Sequence, residues 1–515
     1  MDVDLTKESL PFIIGVIWRE VQRMKHFESF GDCLKRCLKE NHLSASEAAK
    51  LVGFRSRNSM FRILAGETGD DVKLRFLEKL REALGDAWPD RDWLALQEAL
   101  SVERMGPERY QANVAFAKVL MGQEESPAYM LHQASTDGTT RDVPLGDLLT
   151  EACQAHRAEI IITGCCDSGI SRLIAEKCGA ASSRGSVTVR QYIDISEECV
   201  TQNILGVLPL VSKPWYNARL VERDACPPEM MAIYRLHCIH IQCWDEQGNP
   251  SWTICVRYDA ADFTLQDWQE GLCTAVLVID RWRFQLELLK PMAKPSEGPE
   301  VFVTYTDQYA QLEDNCIILS IKPDVHFNCI PTEMLEQTVM EGFAQAGIAV
   351  GPDLVALIDA LKVVHNARFD NVMHKRKPTH LVYGLPEMER FMRTGVLSDQ
   401  FFVQRAYTVE ERRRLIRVLL EAMRNQPYFN VYILKEDAPA LRYEMSYYDG
   451  KGVLLMDAYT GYELDKDHSE ALITLPVFME SFRRFVMEEL LPHLVRPRAE
   501  VLRILEKLLV MEIKE

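Results

Sequence analysis

The sequence predicts a multidomain fold in which a small all-α bundle is followed by α/β domains and a helical C-terminus. Three observations predict it. The chain has 515 residues, about three times a typical single-domain length, and its 47% hydrophobic content is that of ordinary packed domains. Four short helical patterns joined by brief connections lie between Phe30 and Leu84. Beyond Pro107 helical stretches alternate with short apolar runs, the arrangement of helices covering a sheet. The expected divisions are an N-terminal helical segment at 1–27, the bundle at 28–105, an α/β domain at 106–292 and a second one at 300–515.

The segment Leu10 to Phe27 reads as a helix, apolar and then basic, for core or dimer packing. In the bundle, the first helix carries Phe30, Leu34, Cys37 and Leu38 on one side and ends at Asn41-His42. Ser44 is placed to cap the second helix, with Glu47 three residues on to reach back to the capped amide. Ala48, Leu51 and Val52 are its apolar positions, and Gly53 sits where a residue of positive φ ends a helix in a tight turn. The third helix, Arg57 to Leu64, stops at Gly66. At about 100° per residue, Met60, Ile63 and Leu64 share one face, opposite Arg55, Asn58 and Arg62 with Ser59 beside them. The apolar face should pack on Leu34, Leu38, Ala48 and Val52.

Charge separates this bundle from the remainder. The whole chain carries −17, yet Lys35 to Arg81 holds eleven basic against six acidic residues, a net of +5. A basic island on an acidic protein is the footprint of one module that meets phosphate. Arg pairs bidentately with guanine and Asn with adenine in the major groove, while Ser and flanking cations reach phosphates. The candidate DNA contacts are therefore Lys50, Arg55, Ser56, Arg57, Asn58, Ser59 and Arg62.

The stretch LSASEAAKLVGFRSRNSMFRILAG, Leu43 to Gly66, closely resembles the phage-repressor (Cro-like) helix-turn-helix family in its Leu-Ser start, Glu-Ala-Ala core, Val-Gly turn and closing Gly. It has one extra residue between Gly53 and Met60, and Leu64 where a glutamate is frequent. The resemblance is confined to the N-terminal module. It implies a bacterial-type transcriptional regulator that binds double-stranded DNA. Because one such module touches few base pairs, a homodimer on two half-sites roughly 34–36 Å apart is expected.

In the remainder, the clearest succession is a helix from Leu145 to His156, a strand Glu159 to Thr163, a helix Ser168 to Cys178, a strand Val187 to Ile193 and a helix Cys199 to Leu210. Lys290 to Pro299 reads as a linker, with three prolines and a glycine. The second α/β unit shows strands near Cys316 to Ile321, His380 to Tyr383 and Asn430 to Leu434. A capping box, Thr408 with Glu411, opens a helix from Val409 to Arg424. Phe478, Phe482, Phe485 and Val486, then Val501, Leu502, Leu505, Leu508 and Leu509, recur at helical spacing on a face that is core or a dimer seam.

The unit Leu145 to Leu210 loosely resembles the phospholipase-D-like α/β fold, which some bacterial regulators use as a ligand-sensing domain. Enzymes of that family need a His-x-Lys pair. None of the twelve histidines has one, including His374 in His374-Lys375-Arg376-Lys377, so the resemblance implies a catalytically silent, sensor-like domain for a small-molecule effector.

Other candidate chemistry is thin. His237, His240 and Cys243 fall on a strand whose side chains alternate between faces, which fits core packing better than a shared metal. Cys33 and Cys37, one helical turn apart, read as small hydrophobes. Cys165-Cys166, just before a helix start at Ser168, sit where thiol pKa values fall, a setting for redox or electrophile sensing. Gly164 and Gly169 have phosphate-loop spacing, but Ile170-Ser171 replaces the required Lys-Ser/Thr. No catalytic residue, metal or cofactor is expected. Fourteen scattered cysteines without a CxxC pair or a secretory leader point to reduced thiols in the cytoplasm. The longest apolar runs, Leu10 to Trp18 and Ile204 to Val211, are about half the ~20 residues of a membrane span, so no membrane partner is expected. The leading reading is a sequence-specific regulator. Its rivals are an enzyme, nuclease- or phosphoesterase-like, fused to the same module, and an adaptor that does not bind DNA.

Overall fold

The computed structural model describes residues 28–512 except 55–56, 122–129, 135–139, 165–166, 183–186, 197–198, 212, 214, 223–237, 260–263, 268–289, 292–308, 324, 346, 348–350, 375, 398–404, 436–442 and 458–469. The expected helix Leu10 to Phe27 lies outside them. The chain divides into two units, one running to Ala117 and one taking most of the chain from Lys118.

The first unit is helical: α1 (Phe30–Glu40), α2 (Ala45–Leu51), α3 (Arg57–Leu64), α4 (Asp70–Leu84), α5 (Asp90–Met105) and α6 (Pro107–Met121), whose last turn crosses into the second unit. The change of sequence character at Pro107 marks the start of α6. Ser29 caps α1 by accepting from the Asp32 amide at 3.2 Å. The core gathers Phe30, Leu34, Cys37 and Leu38 from α1 with Ala48, Val52, Met60, Ile63, Phe76, Leu80 and Leu96. Trp88 and Trp93 stack within it, ring centroids 5.0 Å apart.

One contact in this unit is set by a missing side chain. A Cβ on Gly31 would stand 2.5 Å from the Leu64 carbonyl oxygen and 3.2 Å from that of Ile63. Glycine in the first turn of α1 therefore lets the end of α3 lie directly on it.

The second unit contains two mixed sheets. The first has nine strands: β1 (Met130–Ala134), β2 (Thr140–Pro144), β3 (Arg157–Ile162), β4 (Val187–Asp194), β5 (Tyr216–Val221), β6 (Cys238–Trp244), β7 (Pro250–Asp259), β8 (Thr264–Asp267) and β9 (Lys290–Pro291). Their order is β2-β1-β8-β7-β6-β3-β4-β5-β9. Helices α7 (Leu145–Gln154), α8 (Ser168–Ser182), α9 (Val200–Gly206) and α10 (Leu208–Val211) connect them. The second sheet has β10 (Ile318–Lys322), β11 (Thr379–Tyr383), β12 (Phe429–Ile433), β13 (Tyr443–Tyr448), β14 (Gly452–Asp457) and β15 (Glu470–Ile473), in the order β12-β11-β10-β13-β14-β15. Its helices are α11 (Thr332–Gln345), α12 (Pro352–Met373), α13 (Leu385–Thr394), α14 (Val409–Asn425), α15 (Pro476–Arg484) and α16 (Arg498–Leu509).

The two sheets repeat one connection order. In each, three strands joined through helices run parallel, β3-β4-β5 and β10-β11-β12. A fourth, β6 or β13, then returns antiparallel on the far side of the first, and a fifth, β7 or β14, pairs antiparallel with it. The sixth strand, β8 or β15, lies beyond the fifth. The two halves share no evident sequence repeat. Burial on both faces asks only for apolar strands, which many sequences satisfy.

Three expectations are corrected here. The helix expected from Cys199 to Leu210 is broken at Val207 into α9 and α10. Pro209 accounts for the break, since it donates no hydrogen bond and its ring collides with the carbonyl four residues back. The linker expected at Lys290 begins instead with a strand: Lys290 and Pro291 pair antiparallel with Leu220 and Arg219, and a proline is tolerated on such an edge. The remaining linker residues, 292–299, lie outside the described set. The strand expected at Glu159 starts earlier, at Arg157, which pairs with Trp244 and holds its guanidinium 4.6 Å from that ring's centroid.

The apolar C-terminal face is core. Phe478, Phe482, Phe485 and Val486 are buried, and Val501, Leu505 and Leu508 join the cluster around Leu415, Leu419, Leu381 and Val431. Between α15 and α16 the chain winds as a π-helix, Phe485–Leu494, and then crosses the edge of the second sheet: Leu434 bridges Val495, the Lys435 amide donates to Leu494 O at 2.9 Å and the Arg496 amide to Ile433 O at 2.8 Å. Among the described residues no helix is long and apolar enough to cross a membrane.

Candidate nucleic-acid interface

The turn between α2 and α3 is fixed by hydrogen bonds that the local sequence dictates. The Ser44 amide donates to Glu47 Oε2 at 2.9 Å and the Glu47 amide to Ser44 Oγ at 3.2 Å, closing the capping box. The serine hydroxyl and amide hold the Glu47 carboxyl below its usual range. At the other end, the Val52 amide donates to Ala48 O at 3.1 Å and the Phe54 amide to Ala49 O at 2.9 Å, across Gly53 at φ +75°. Gly66, also at φ +75°, ends α3, with the Glu67 amide donating to Arg62 O at 2.8 Å.

This frame gives α3 a sealed face and an open one. Met60 and Ile63 are buried in the same cluster as Leu34, Leu38, Ala48 and Val52, with Leu64 half-buried beside them. Asn58 and Arg62 are exposed on the other side, Ser59 is half-buried, and Lys50 is exposed near the end of α2. Arg62 Nη2 donates to Glu67 O at 3.2 Å, an exposed bond that a stronger acceptor can replace. Arg57 is the first residue of α3. Arg55 and Ser56 lie outside the described residues.

Two features differ from the sequence reading. Leu51, taken as an apolar position of α2, is 45% exposed, because Ala48, Ala49 and Val52 take the core-facing arc of this short helix. Phe61, next to Arg62 on α3, is 60% exposed. The basic island also loses a member. Lys73 is 2% exposed and its Nζ lies 2.5 Å from Glu103 Oε1, so it adds nothing to the surface field. Lys35 is neutralised by Asp32 at 2.7 Å and Arg36 by Glu28 at 3.1 Å, whereas Lys39, Lys50, Arg62, Arg75 and Lys79 stand exposed.

Other candidate groups are scattered through the fold. His240 and Cys243 are buried on β6 at an odd spacing, hence on opposite faces of the sheet, and His237 lies outside the described residues, as do Cys165 and Cys166. Cys33 and Cys37 are buried in the helical core. Among the described residues no group of three or more His, Cys, Asp or Glu side chains is placed to hold a metal ion.

One constellation escaped the sequence reading. Ser446 Oγ lies 2.5 Å from Ser320 Oγ, Ser320 Oγ 2.5 Å from His326 Nε2, and His326 Nδ1 3.0 Å from Tyr383 OH. A serine bonded to a histidine that a third group orients is the geometry of an activated nucleophile. All four side chains are nevertheless buried, and burial together with Lys322 and Arg368 keeps the His326 imidazole neutral, its pKa well below the usual value. This chain is a polar seam that ties β10 to β11 and β13 rather than a site open to substrate. Nothing in the local sequence marks it, because Tyr383 and Ser446 join the pair only through the sheet.

No protein-family model matches the chain, and no curated protein matches it.

Proposed function

We propose that the chain is a sequence-specific DNA-binding transcriptional regulator, with α2 and α3 as a helix-turn-helix of the Cro-like kind and α3 as the helix that reads the major groove. The observation that carries this reading is the joint placement of Asn58, Arg62 and Lys50 in solvent with Met60 and Ile63 sealed behind them. Asn58 and Arg62 then contact base edges, and Lys50, with Arg57, the phosphates. The acidic remainder repels DNA and limits non-specific binding, while dimerisation supplies the second half-site. The α/β unit senses a ligand, holds the dimer together or does both, in the cytoplasm.

The first experiment is to sequence DNA fragments retained by the purified protein. On the operator so found, Asn58→Ala and Arg62→Ala should each cost roughly 1–3 kcal/mol and relax base preference. Lys50→Ala should weaken all DNA alike and lower the salt slope by about one. Folded Asn58→Ala and Arg62→Ala proteins that bind the operator unchanged would sink this assignment of the reading face.

Exposed Leu51 and Phe61 favour a second reading, an adaptor whose α3 face binds protein. Phe61→Ser separates the two: it should leave salt-dependent DNA affinity in place under the first reading and abolish the only binding activity under the second.

A further inference from the structure

The geometry points to Cys153 and Cys178 as a reversible redox pair, in which a small-molecule disulfide converts the two thiols into one bond joining α7 to α8. Their Sγ atoms lie 3.8 Å apart, from residues twenty-five positions apart in the chain. A disulfide needs about 2.05 Å. The remaining gap has to be closed by rotation of the two side chains, which stand on helices that already pack against each other. Gly146 of α7 faces α8 as well: a Cβ there would be in ordinary contact with the side-chain atoms Lys177 Cε at 3.5 Å and Leu173 Cδ1 at 3.6 Å.

The two thiols are not equivalent, and their difference sets the order of events. Cys153 is half-buried near the end of α7, whereas Cys178 is buried. Cys153 Sγ also lies 3.4 Å from Lys177 O; the contact between the two thiols lowers the Cys153 pKa, and the same contact together with burial raises that of Cys178. Cys153 is thus the accessible sulfur of the two.

The step balances as follows. Cys153 Sγ, as thiolate, attacks one sulfur of a small disulfide, forms a mixed disulfide and expels the first small thiolate. Cys178 gives up its proton to that thiolate, and its sulfur attacks Cys153 Sγ, expelling the second. The two protein thiols lose two electrons and two protons, and the disulfide is reduced to two thiols. Buried Cys178 is a poor first target but an ideal resolving thiol, since it already faces Cys153. Among the described residues, Cys243 is a competitor, a thiol whose pKa burial raises and which feels Cys153.

The test is titration of the full-length protein with oxidised glutathione, followed by acid quench, alkylation and peptide mass spectrometry. The expected product is a cross-linked pair of peptides holding Cys153 and Cys178, lighter by two hydrogens and restored by a dithiol reductant. Cys178→Ser should instead trap one glutathione on Cys153, and Cys153→Ser should leave Cys178 unmodified. The wild-type map decides the matter even where a variant fails to fold. Stable glutathione on wild-type Cys153, a bond from Cys153 to Cys243, or full alkylation of both thiols after oxidation would each overturn the inference.

Discussion

Replacing Gly31 by alanine sets two effects of opposite sign against each other at the contact that seats α3. Alanine gains up to about 1 kcal/mol of helix propensity over glycine. Its Cβ, however, would stand 2.5 Å from the Leu64 carbonyl oxygen and 3.0 Å from the carbonyl carbon, where ordinary contact begins at 3.4 Å. Both are backbone atoms at the end of a helix, so no side-chain rotation relieves the clash. α1 and α3 must separate by about 1 Å, an overpacking cost of about 1–3 kcal/mol. The clash should win, leaving a net loss of up to about 2 kcal/mol. Hydrogen exchange read by mass spectrometry localises it: amides of 30–40 and 57–64 should exchange faster, by up to about 30-fold, while those of the second unit stay unchanged. If α3 reads DNA as proposed, DNA affinity should fall as well, since a helix displaced by about 1 Å would no longer hold its contacts. Slower exchange in Gly31→Ala than in wild type would mean that propensity dominates and that α3 does not rest on α1 as described.

Gly53→Ala and Gly395→Ala share a positive φ, +75° and +71°, but a Cβ meets nothing within 4 Å at Gly53 and runs into the Tyr407 backbone at Gly395. Denaturant titration should show about 1–2 kcal/mol of loss for Gly53→Ala and clearly more for Gly395→Ala; equal losses would contradict the packing at Tyr407. Glu313 binds buried Arg368 through Oε1 to Nη2 at 2.7 Å and Oε2 to Nε at 3.0 Å, so Glu313→Ala should cost about 3–5 kcal/mol by stranding the guanidinium. A Glu313→Ala/Arg368→Met double variant should recover part of that loss, and no recovery would count against a stranded charge as its cause. His365, buried with Nε2 2.8 Å from Ile330 O, has its pKa pushed down to about 4 by burial, from an ordinary 6.5. The unfolded chain binds a proton that the folded chain refuses, so this contribution is complete above pH 6.5 and is lost as pH falls towards 4, by about 3 kcal/mol. His365→Gln should flatten that part of the stability curve, and an unaltered curve would remove His365 as its source.

What could be read from the sequence was what nearby residues determine. The capping boxes at Ser44 and Thr408, the positive φ at Gly53 and Gly66 and the opposed faces of α3 each depend on residues within one or two turns. Strand positions near Ile160, Leu381 and Val431 were legible for the same reason, as apolar runs between breaks. The rest depends on partners far along the chain. Gly31 looks like a weak helix residue until Leu64, thirty-three positions on, is folded against it. Lys73 counts as a surface cation until Glu103 covers it, and Ser320 acquires His326, Tyr383 and Ser446 as neighbours only through the sheet. The repeated strand order was hidden too, because topology is a property of connections and not of composition.

The crossing of residues 494–496 over the end of β12 bears on solubility. β12 is an outer strand of the second sheet, and an open strand end offers unpaired amides and carbonyls to any other extended chain. Leu494 and Arg496 occupy those groups at Ile433 and Lys435 through short main-chain bonds, so the protein carries its own plug against intermolecular strand addition. Truncation before Pro492 would withdraw the plug together with the α16 face that covers the same strand. The expected result is a protein that self-associates with rising concentration and binds amyloid-sensitive dyes, and a truncated chain that stays monomeric in light scattering would show that the edge is guarded by something else.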